Sequence, residues 1–78
     1  MQYEVKIPQQ GFTIEYVTIT KWYVGVGDEV KEGMPVCEIE SDKATMDIES
    51  FFSGKVTKLL KSDGDEADIG EVIMVLED

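Results

Sequence analysis

Lys43 is the residue whose setting most favours covalent chemistry. It lies in Glu40-Ser41-Asp42-Lys43-Ala44, between two segments in which apolar and polar residues alternate. Ser and Asp favour tight turns, because their side chains hydrogen-bond to the nearby backbone. A lysine at the tip of a hairpin holds its amine clear of the protein, where an enzyme can acylate it. Most lysines at such positions are only solvated, so the turn by itself does not decide the function.

Other catalytic groups are few. The sequence has no histidine and a single cysteine, Cys37, so it predicts no zinc site, no His-dependent nucleophile and no internal disulfide. Cys37 alternates with Ile39, which indicates a buried thiol and not a redox partner. The acidic residues around Gly64 lack the spacing of an EF-hand, so no metal site is predicted. We therefore expect a carrier or binding protein and not an enzyme.

The length and the net charge of the chain further restrict the class of protein. Seventy-eight residues predict one domain, over residues 1–78. The formal net charge of −10 disfavours nucleic acid and anionic membrane surfaces as partners. The apolar run Val72–Leu76 is too short to span a bilayer. We recognise no secretory signal or transit peptide at the start of the chain.

Strand signals dominate the sequence. Short stretches rich in β-branched and aromatic residues are separated by Gly, Pro and Asp, which predicts an all-β domain. Strands are expected near Tyr3–Ile7, Thr18–Val24, Glu29–Val30, Val36–Glu40, Ala44–Ser50, Gly54–Leu60, Glu66–Ala67 and Val72–Leu76.

An internal repeat predicts how these strands are arranged. At an offset of 37 residues, Gly27-Asp28-Glu29 coincides with Gly64-Asp65-Glu66, and Gly33 coincides with Gly70. Two halves of about four strands, packed face to face, would bury one core between two sheets. The fold class is therefore a flattened β-barrel, or barrel-sandwich hybrid, of two four-stranded antiparallel sheets with pseudo-two-fold symmetry. The glycines suit turns with positive φ.

Upstream of this repeat the offset changes. There it becomes 41 residues, which aligns Val5 with Met46 and makes the loop Gln9–Tyr16 about four residues longer than its counterpart. The two-fold axis also predicts that the chain ends lie together, with the Ser41–Ala44 turn at the opposite pole.

The sequence resembles the lipoyl domains of 2-oxo acid dehydrogenase complexes over essentially its whole length. The matching segments are Lys21-Trp22, Val26-Gly27-Asp28-Glu29-Val30, Gly33, Pro35, Glu40-Ser41-Asp42-Lys43-Ala44, Gly54-Lys55-Val56, Gly64, Gly70 and the closing apolar strand. The resemblance implies that lipoate is attached to Lys43, with Asp42 and Ala44 as the flanking turn residues.

The resemblance also implies the partners. A lipoate ligase or lipoyl transferase would load Lys43, and a thiamine-dependent decarboxylase would reductively acylate the arm. The acyl group would pass to coenzyme A at an acyltransferase core, and the flavoprotein dihydrolipoamide dehydrogenase would reoxidise the arm. We expect a monomeric, non-catalytic domain of a dihydrolipoamide acyltransferase, in the cytoplasm of a bacterium or the mitochondrial matrix of a eukaryote.

In this family the first loop lies beside the lipoyl-lysine turn and helps the decarboxylase recognise its carrier. Here Val17 stands where many relatives have Gly, and the segment before it is less acidic. The implied recognition residues are Gly11, Phe12, Thr13, Ile14, Glu40 and Asp47. An ordinary surface loop and an acidic face that serves only solubility are the alternatives.

Three other carriers or modules share this architecture. A biotin carrier domain typically has methionines beside its lysine, where this chain has Asp42 and Ala44. The lipoyl carrier of glycine cleavage is usually longer, and an unmodified hybrid-motif module would need no lysine. Asp42-Lys43-Ala44-Thr45-Met46 looks more like pyruvate or acetoin complexes than the 2-oxoglutarate type, in which Val often follows the lysine.

Overall fold

A computed structural model of the chain describes residues 1–8, 15–42 and 44–78. Within these ranges the alternating segments form eight strands. They are β1 (Gln2–Lys6), β2 (Tyr16–Trp22), β3 (Glu29–Val30), β4 (Pro35–Glu40), β5 (Thr45–Glu49), β6 (Gly54–Leu59), β7 (Glu66–Asp68) and β8 (Val72–Glu77). No described segment is a helix able to cross a membrane. The predicted all-β class is confirmed.

The strands form two four-stranded sheets, in the orders β1-β8-β6-β3 and β5-β4-β2-β7. Every pairing between strands is antiparallel. When each strand number in the first sheet is advanced by four, with β1 counted after β8, the order of the second sheet results. The predicted pseudo-two-fold symmetry is therefore confirmed. Each sheet takes strands from both halves. The halves are therefore interleaved, and neither half forms a sheet of its own.

The ladders correct the predicted offset between β1 and β5. Val5 pairs with Met74, and Cys37, the equivalent of Met74, pairs with Ile48. Val5 is therefore equivalent to Ile48 and not to Met46. The true offset is 43 residues, the separation of the first residues of β1 and β5. The first loop exceeds its counterpart by six residues, the difference between 43 and 37, and not by four.

All eight strands contribute to one apolar core. Its buried members are Val5, Ile7, Val17, Ile19, Val24, Val30, Val36, Cys37, Ile39, Ile48, Val56, Ala67, Ile73, Met74 and Leu76. Along β5, Ile48 is buried while Asp47 and Glu49 are exposed, which is the predicted alternation of a strand with one face in the core.

The glycine turns follow the same symmetry. Gly27 and Gly64 have φ values of 97° and 89°, in the left-handed region that favours glycine. The N–H of Gly27 donates to the carbonyl of Val56 at 2.8 Å, and that of Gly64 donates to the equivalent carbonyl of Ile19 at 2.6 Å. These turns tie each half to the other, as expected for an interleaved fold.

The chain ends meet at one pole of the molecule. The Met1 ammonium lies 3.0 Å from a carboxylate oxygen of Asp78, and the Tyr3 hydroxyl donates to the other oxygen at 2.9 Å. The Tyr3 ring stacks on Phe52, at 4.7 Å between centroids, so the residues after β5 belong to this pole. The segment from Ala44 to this end of β5 spans roughly 20 Å, at about 3.3 Å per residue. The described part of the Ser41–Ala44 turn therefore lies at the opposite pole, as predicted.

Candidate functional site

The hairpin between β4 and β5 ends in a tight turn. The backbone N–H of Ser41 donates to the carbonyl of Ala44 at 2.8 Å, and the Ser41 hydroxyl donates to the same carbonyl at 3.2 Å. Only Asp42 and Lys43 lie between these two residues in the sequence, and Asp42 and Ala44 are exposed. Lys43, the predicted attachment residue, lies outside the described residues.

The strands below this turn fix its position. β4 is paired on both sides, with β2 and with β5. Glu40, the last residue of β4, faces Thr18 on one neighbour and Thr45 on the other. The inward side chain of Ile39, next to it, is only 1% exposed. The ladder and the core beneath it therefore hold both ends of the turn in place.

The predicted recognition residues fall into two groups. Glu40 and Asp47 are exposed, on β4 and β5, and belong to the outer face of the hairpin. Gly11, Phe12, Thr13 and Ile14 lie outside the described residues. The strand that follows them lies beside the turn: β2 begins at Tyr16, two residues before Thr18, which pairs with Glu40.

Two carboxylates stand opposite each other on this outer face. Glu38 pairs with Asp47 across the β4–β5 ladder, an arrangement that like charges disfavour. The Tyr23 hydroxyl donates to Asp47 at 2.7 Å and to Glu38 at 3.4 Å, and the hydrogen bond to Asp47 is the main cause that raises the pKa of Tyr23 to about 12. Thr20 donates to Glu38 at 2.8 Å, and the Lys21 ammonium lies 3.9 Å from it.

The sequence does not predict this network, because Tyr23 is separated from Glu38 by 15 residues and from Asp47 by 24. The exposed fraction of Tyr23 is 42%, and its hydroxyl reaches two strands away in the sheet. The run of acidic residues in β4 and β5 was the available signal. Tyr23 reaches two of these acidic residues because β2, β4 and β5 are neighbours in one sheet. The sequence analysis did not predict that strand order.

The surroundings of Cys37 and of the acidic residues near Gly64 indicate a structural role for each. Cys37 is fully buried, and desolvation is the main cause that raises the pKa of its thiol to about 12. Asp63 accepts the backbone N–H of Trp22 at 3.0 Å, and Asp65 accepts that of Ser62 at 2.8 Å. In the part of the chain that the structure describes, no three metal-ligating side chains converge.

Solved structures with this fold include a lipoyl domain and a carboxylase. The lipoyl domain of the 2-oxoglutarate dehydrogenase complex from Azotobacter vinelandii matches with a TM-score of 0.75 and 27% identity, over 96% of this chain and 95% of that one. Urea carboxylase from Kluyveromyces lactis matches with a TM-score of 0.81 and 27% identity, over 99% of this chain and 6% of the enzyme.

Curated relatives are subunits of dehydrogenase complexes. The lipoamide acyltransferase component of the branched-chain alpha-keto acid dehydrogenase complex of Arabidopsis thaliana is 42% identical, over 94% of this chain and 15% of the relative. The dihydrolipoyllysine-residue acetyltransferase component of the pyruvate dehydrogenase complex of Zymomonas mobilis is 42% identical, over 97% of this chain and 18% of the relative. The chain thus spans less than a fifth of the length of these relatives.

The sequence model of one domain family covers nearly the whole chain. The family is described as Biotin-requiring enzyme, and its match extends over residues 3–76. Together with the two-sheet fold and the relatives above, this match shows that the chain belongs to the biotin/lipoyl-attachment family and is similar to the lipoyl domains of 2-oxo acid dehydrogenase complexes.

Proposed function

We propose that this domain carries lipoate covalently on Lys43 and acts as the mobile acyl carrier of a 2-oxo acid dehydrogenase complex. The observation that supports the proposal most directly is the closed turn at the end of the β4–β5 hairpin. A hydrogen bond from Ser41 to Ala44 closes this turn, and Asp42 and Ala44 are exposed to solvent, as a modifying enzyme requires. The pole opposite to the chain ends suits a group that must reach away from its tether.

Lipoate, when bound, supplies a dithiolane that accepts an acyl group together with two electrons. Attachment through an amide would remove the charge of Lys43. The residues of the domain hold the attachment point: the paired strand β4 fixes the turn, and the joined chain ends keep the tether at the other pole. Tethering raises the effective concentration of the arm at each partner, so the domain needs no acid, base or nucleophile of its own.

The proposal extends to the parent protein and its partners. The relatives support a dihydrolipoamide acyltransferase as the parent chain. The partners are then a lipoate ligase or lipoyl transferase, a thiamine-dependent decarboxylase, the acyltransferase core and dihydrolipoamide dehydrogenase. Ala44-Thr45-Met46 after the lysine favours pyruvate or acetoin as the source of the acyl group. We also propose the bacterial cytoplasm, or the mitochondrial matrix, as the location.

A biotin carrier domain is the second candidate. The family description and the similarity to urea carboxylase favour it. The residues beside Lys43 oppose it, because Asp42 and Ala44 stand where biotin domains typically have methionines. The lipoyl-domain relative, which this chain matches over almost the full length of both proteins, also favours lipoate.

Parallel labelling distinguishes the two candidates. The domain is incubated with lipoate and lipoate ligase, or with biotin and biotin ligase, and its intact mass is measured. We expect one lipoyl group and no biotin. Labelling by biotin alone would reverse the assignment, and labelling by neither would support an unmodified interaction module.

The source of the acyl group is tested with the lipoylated domain. Reductive acylation rates are compared for the decarboxylases of pyruvate, acetoin, branched-chain 2-oxo acids and 2-oxoglutarate. The pyruvate or acetoin enzyme should be fastest. Equal rates with all four would mean that the residues after Lys43 carry no information about the complex.

A further inference from the structure

A groove on the first sheet begins at Asp78 and crosses from β8 over β6 to β3. The residues that line it are Glu29, Ser53, Gly54, Lys55, Thr57, Glu77 and Asp78. Val30, Val56 and Leu76, on the same three strands, belong to the core. Because side chains alternate along a strand, the groove lies on the outer face of this sheet, at the pole of the chain ends.

Two small residues stand in this groove. At the equivalent positions of the other half, 37 residues earlier, Tyr16 replaces Ser53 and Val17 replaces Gly54. An added Cβ at Gly54 would lie only 3.0 Å from the backbone oxygen of Glu77, so glycine lets β6 approach the end of β8. The scaffold accepts larger side chains at the equivalent positions, and the fold itself therefore does not require the groove.

The charged groups of the groove are not engaged with one another. Glu29 and Lys55 are directly opposite in the β3–β6 ladder, but within the described part of the chain neither side chain forms an ion pair or a hydrogen bond. The groove thus offers a free acceptor and a free donor. An extended peptide has backbone N–H and C=O groups that suit both. The three carboxylates and one ammonium of the lining favour a peptide without acidic residues.

We propose that the residues that follow Asp78 in the parent chain bind along this groove as an extended segment, so that the mobile tether begins at β3. The inference rests on the proposed carrier function, from which the parent chain follows. The chain covers only 15% and 18% of two relatives, so most of such a parent lies outside this domain. Strands are about 4.8 Å apart, and about three extended residues therefore reach from β8 to β3. A segment joined to one end of the groove has a high effective concentration there, so weak contacts are sufficient.

Such binding would fix the direction in which the tether leaves the domain. The anchored segment would cover the outer face of the first sheet, at the pole of the chain ends. The second sheet contains β4 and β5, which carry the Ser41–Ala44 turn. The outer face of that sheet would then stay open to partners.

Hydrogen exchange in the full parent chain tests the inference. The first three or so amides after Asp78 should exchange about tenfold or more slowly than those of an unstructured chain. Lys55→Trp should abolish this protection, because the ring fills the groove and an aromatic residue suits a strand. Lys58→Trp is the matched control, since Lys58 is an exposed lysine of the same strand outside the groove. It should leave the protection unchanged.

The measurement on the unsubstituted parent chain keeps the test independent of folding in the variants. Exchange at the rate of an unstructured chain, equal loss of protection in both variants, or full protection in a folded Lys55→Trp domain would overturn the inference. A polypeptide that ends at Asp78 would also overturn it. These outcomes leave the carrier function standing, because none of them depends on the state of Lys43. A protected segment beside a domain that is not lipoylated would contradict the carrier function alone.

Discussion

Ser41 donates its backbone N–H to the carbonyl of Ala44 at 2.8 Å, and Asp78 makes the equivalent bond to Met1 at 3.1 Å. The two-fold axis relates these bonds, so the loop that contains Lys43 in one half corresponds to the gap between the chain ends in the other. The Ser41–Ala44 turn and the chain ends thus occupy equivalent positions at opposite poles. The proposed carrier function uses this separation, because a partner that binds the turn does not meet the chain ends.

The first prediction concerns the glycine turns. Gly64 has a φ of 89°, so Gly64→Ala should lower the free energy of unfolding by about 1–2 kcal/mol, the cost of a left-handed conformation for a residue with a Cβ. Gly25 has no such φ, and an added Cβ would meet only Asp28, at 4.0 Å. Gly25→Ala should be neutral or stabilising by up to about 1 kcal/mol. Urea denaturation measures the free energy of unfolding of both variants. Equal effects would contradict the conclusion that the positive φ of Gly64 favours glycine there.

The second prediction concerns thiol reactivity. Because burial raises the pKa of Cys37 to about 12, very little thiolate exists near neutral pH, and the sulfur is also shielded from reagents. A disulfide-exchange reagent should label the native domain only at the rate of unfolding. Labelling in denaturant is the positive control, and rapid labelling of the native domain would show that Cys37 is accessible.

The third prediction concerns acid stability at the joined chain ends. Hydrogen bonds from the Met1 ammonium and the Tyr3 hydroxyl lower the pKa of Asp78 below its usual 3.8. A lowered pKa stabilises the fold above the unfolded value, and this stabilisation is lost as the pH falls through the folded value. Asp78→Asn should therefore lower Tm at pH 7 by more than it does at a pH of about 2. Equal decreases at both pH values would contradict this account.

The fourth prediction concerns the acidic face. Glu38 and Asp47 are engaged by Tyr23, so Glu49, which is exposed, gives a cleaner test of charge. Glu49→Lys should slow reductive acylation by up to about tenfold at low salt, and less at high salt. Glu4→Lys makes the same change in net charge on the opposite sheet and should have little effect. Equal or salt-independent effects of the two variants would mean that the face serves solubility alone.

Strand positions could be predicted from sequence because they depend on local properties. β3 was predicted with its observed bounds, and the other strands lie within about two residues of their predicted ends. The repeat of Gly27 and Gly64 also predicted two equivalent turns. The strands and the turns each depend on residues that are close together in the chain. Alternation is sufficient to predict the strands, and turn chemistry is sufficient to predict the turns.

The offset of β1 could not be predicted for a physical reason. Side chains alternate with a period of two, so offsets of 41 and 43 both align inward-facing residues with inward-facing residues. The strand pairing in the two sheets shows that the offset is 43. At this offset Ile7 is equivalent to Ser50. Ser50 is a buried polar residue whose hydroxyl donates to the carbonyl of Phe52 at 2.6 Å. Hydrophobic matching excludes such a position, and so it favoured the wrong offset.

The central claim is tested most directly by mapping the modified residue after incubation with lipoate and lipoate ligase. Mass spectrometry of the digested domain should find one lipoyl group, on the peptide that contains Lys43, and the intact mass of the Lys43→Arg variant should not change. A lipoyl group on any of the other lysines, or an undiminished mass increase in Lys43→Arg, would contradict the assignment of Lys43 as the carrier residue.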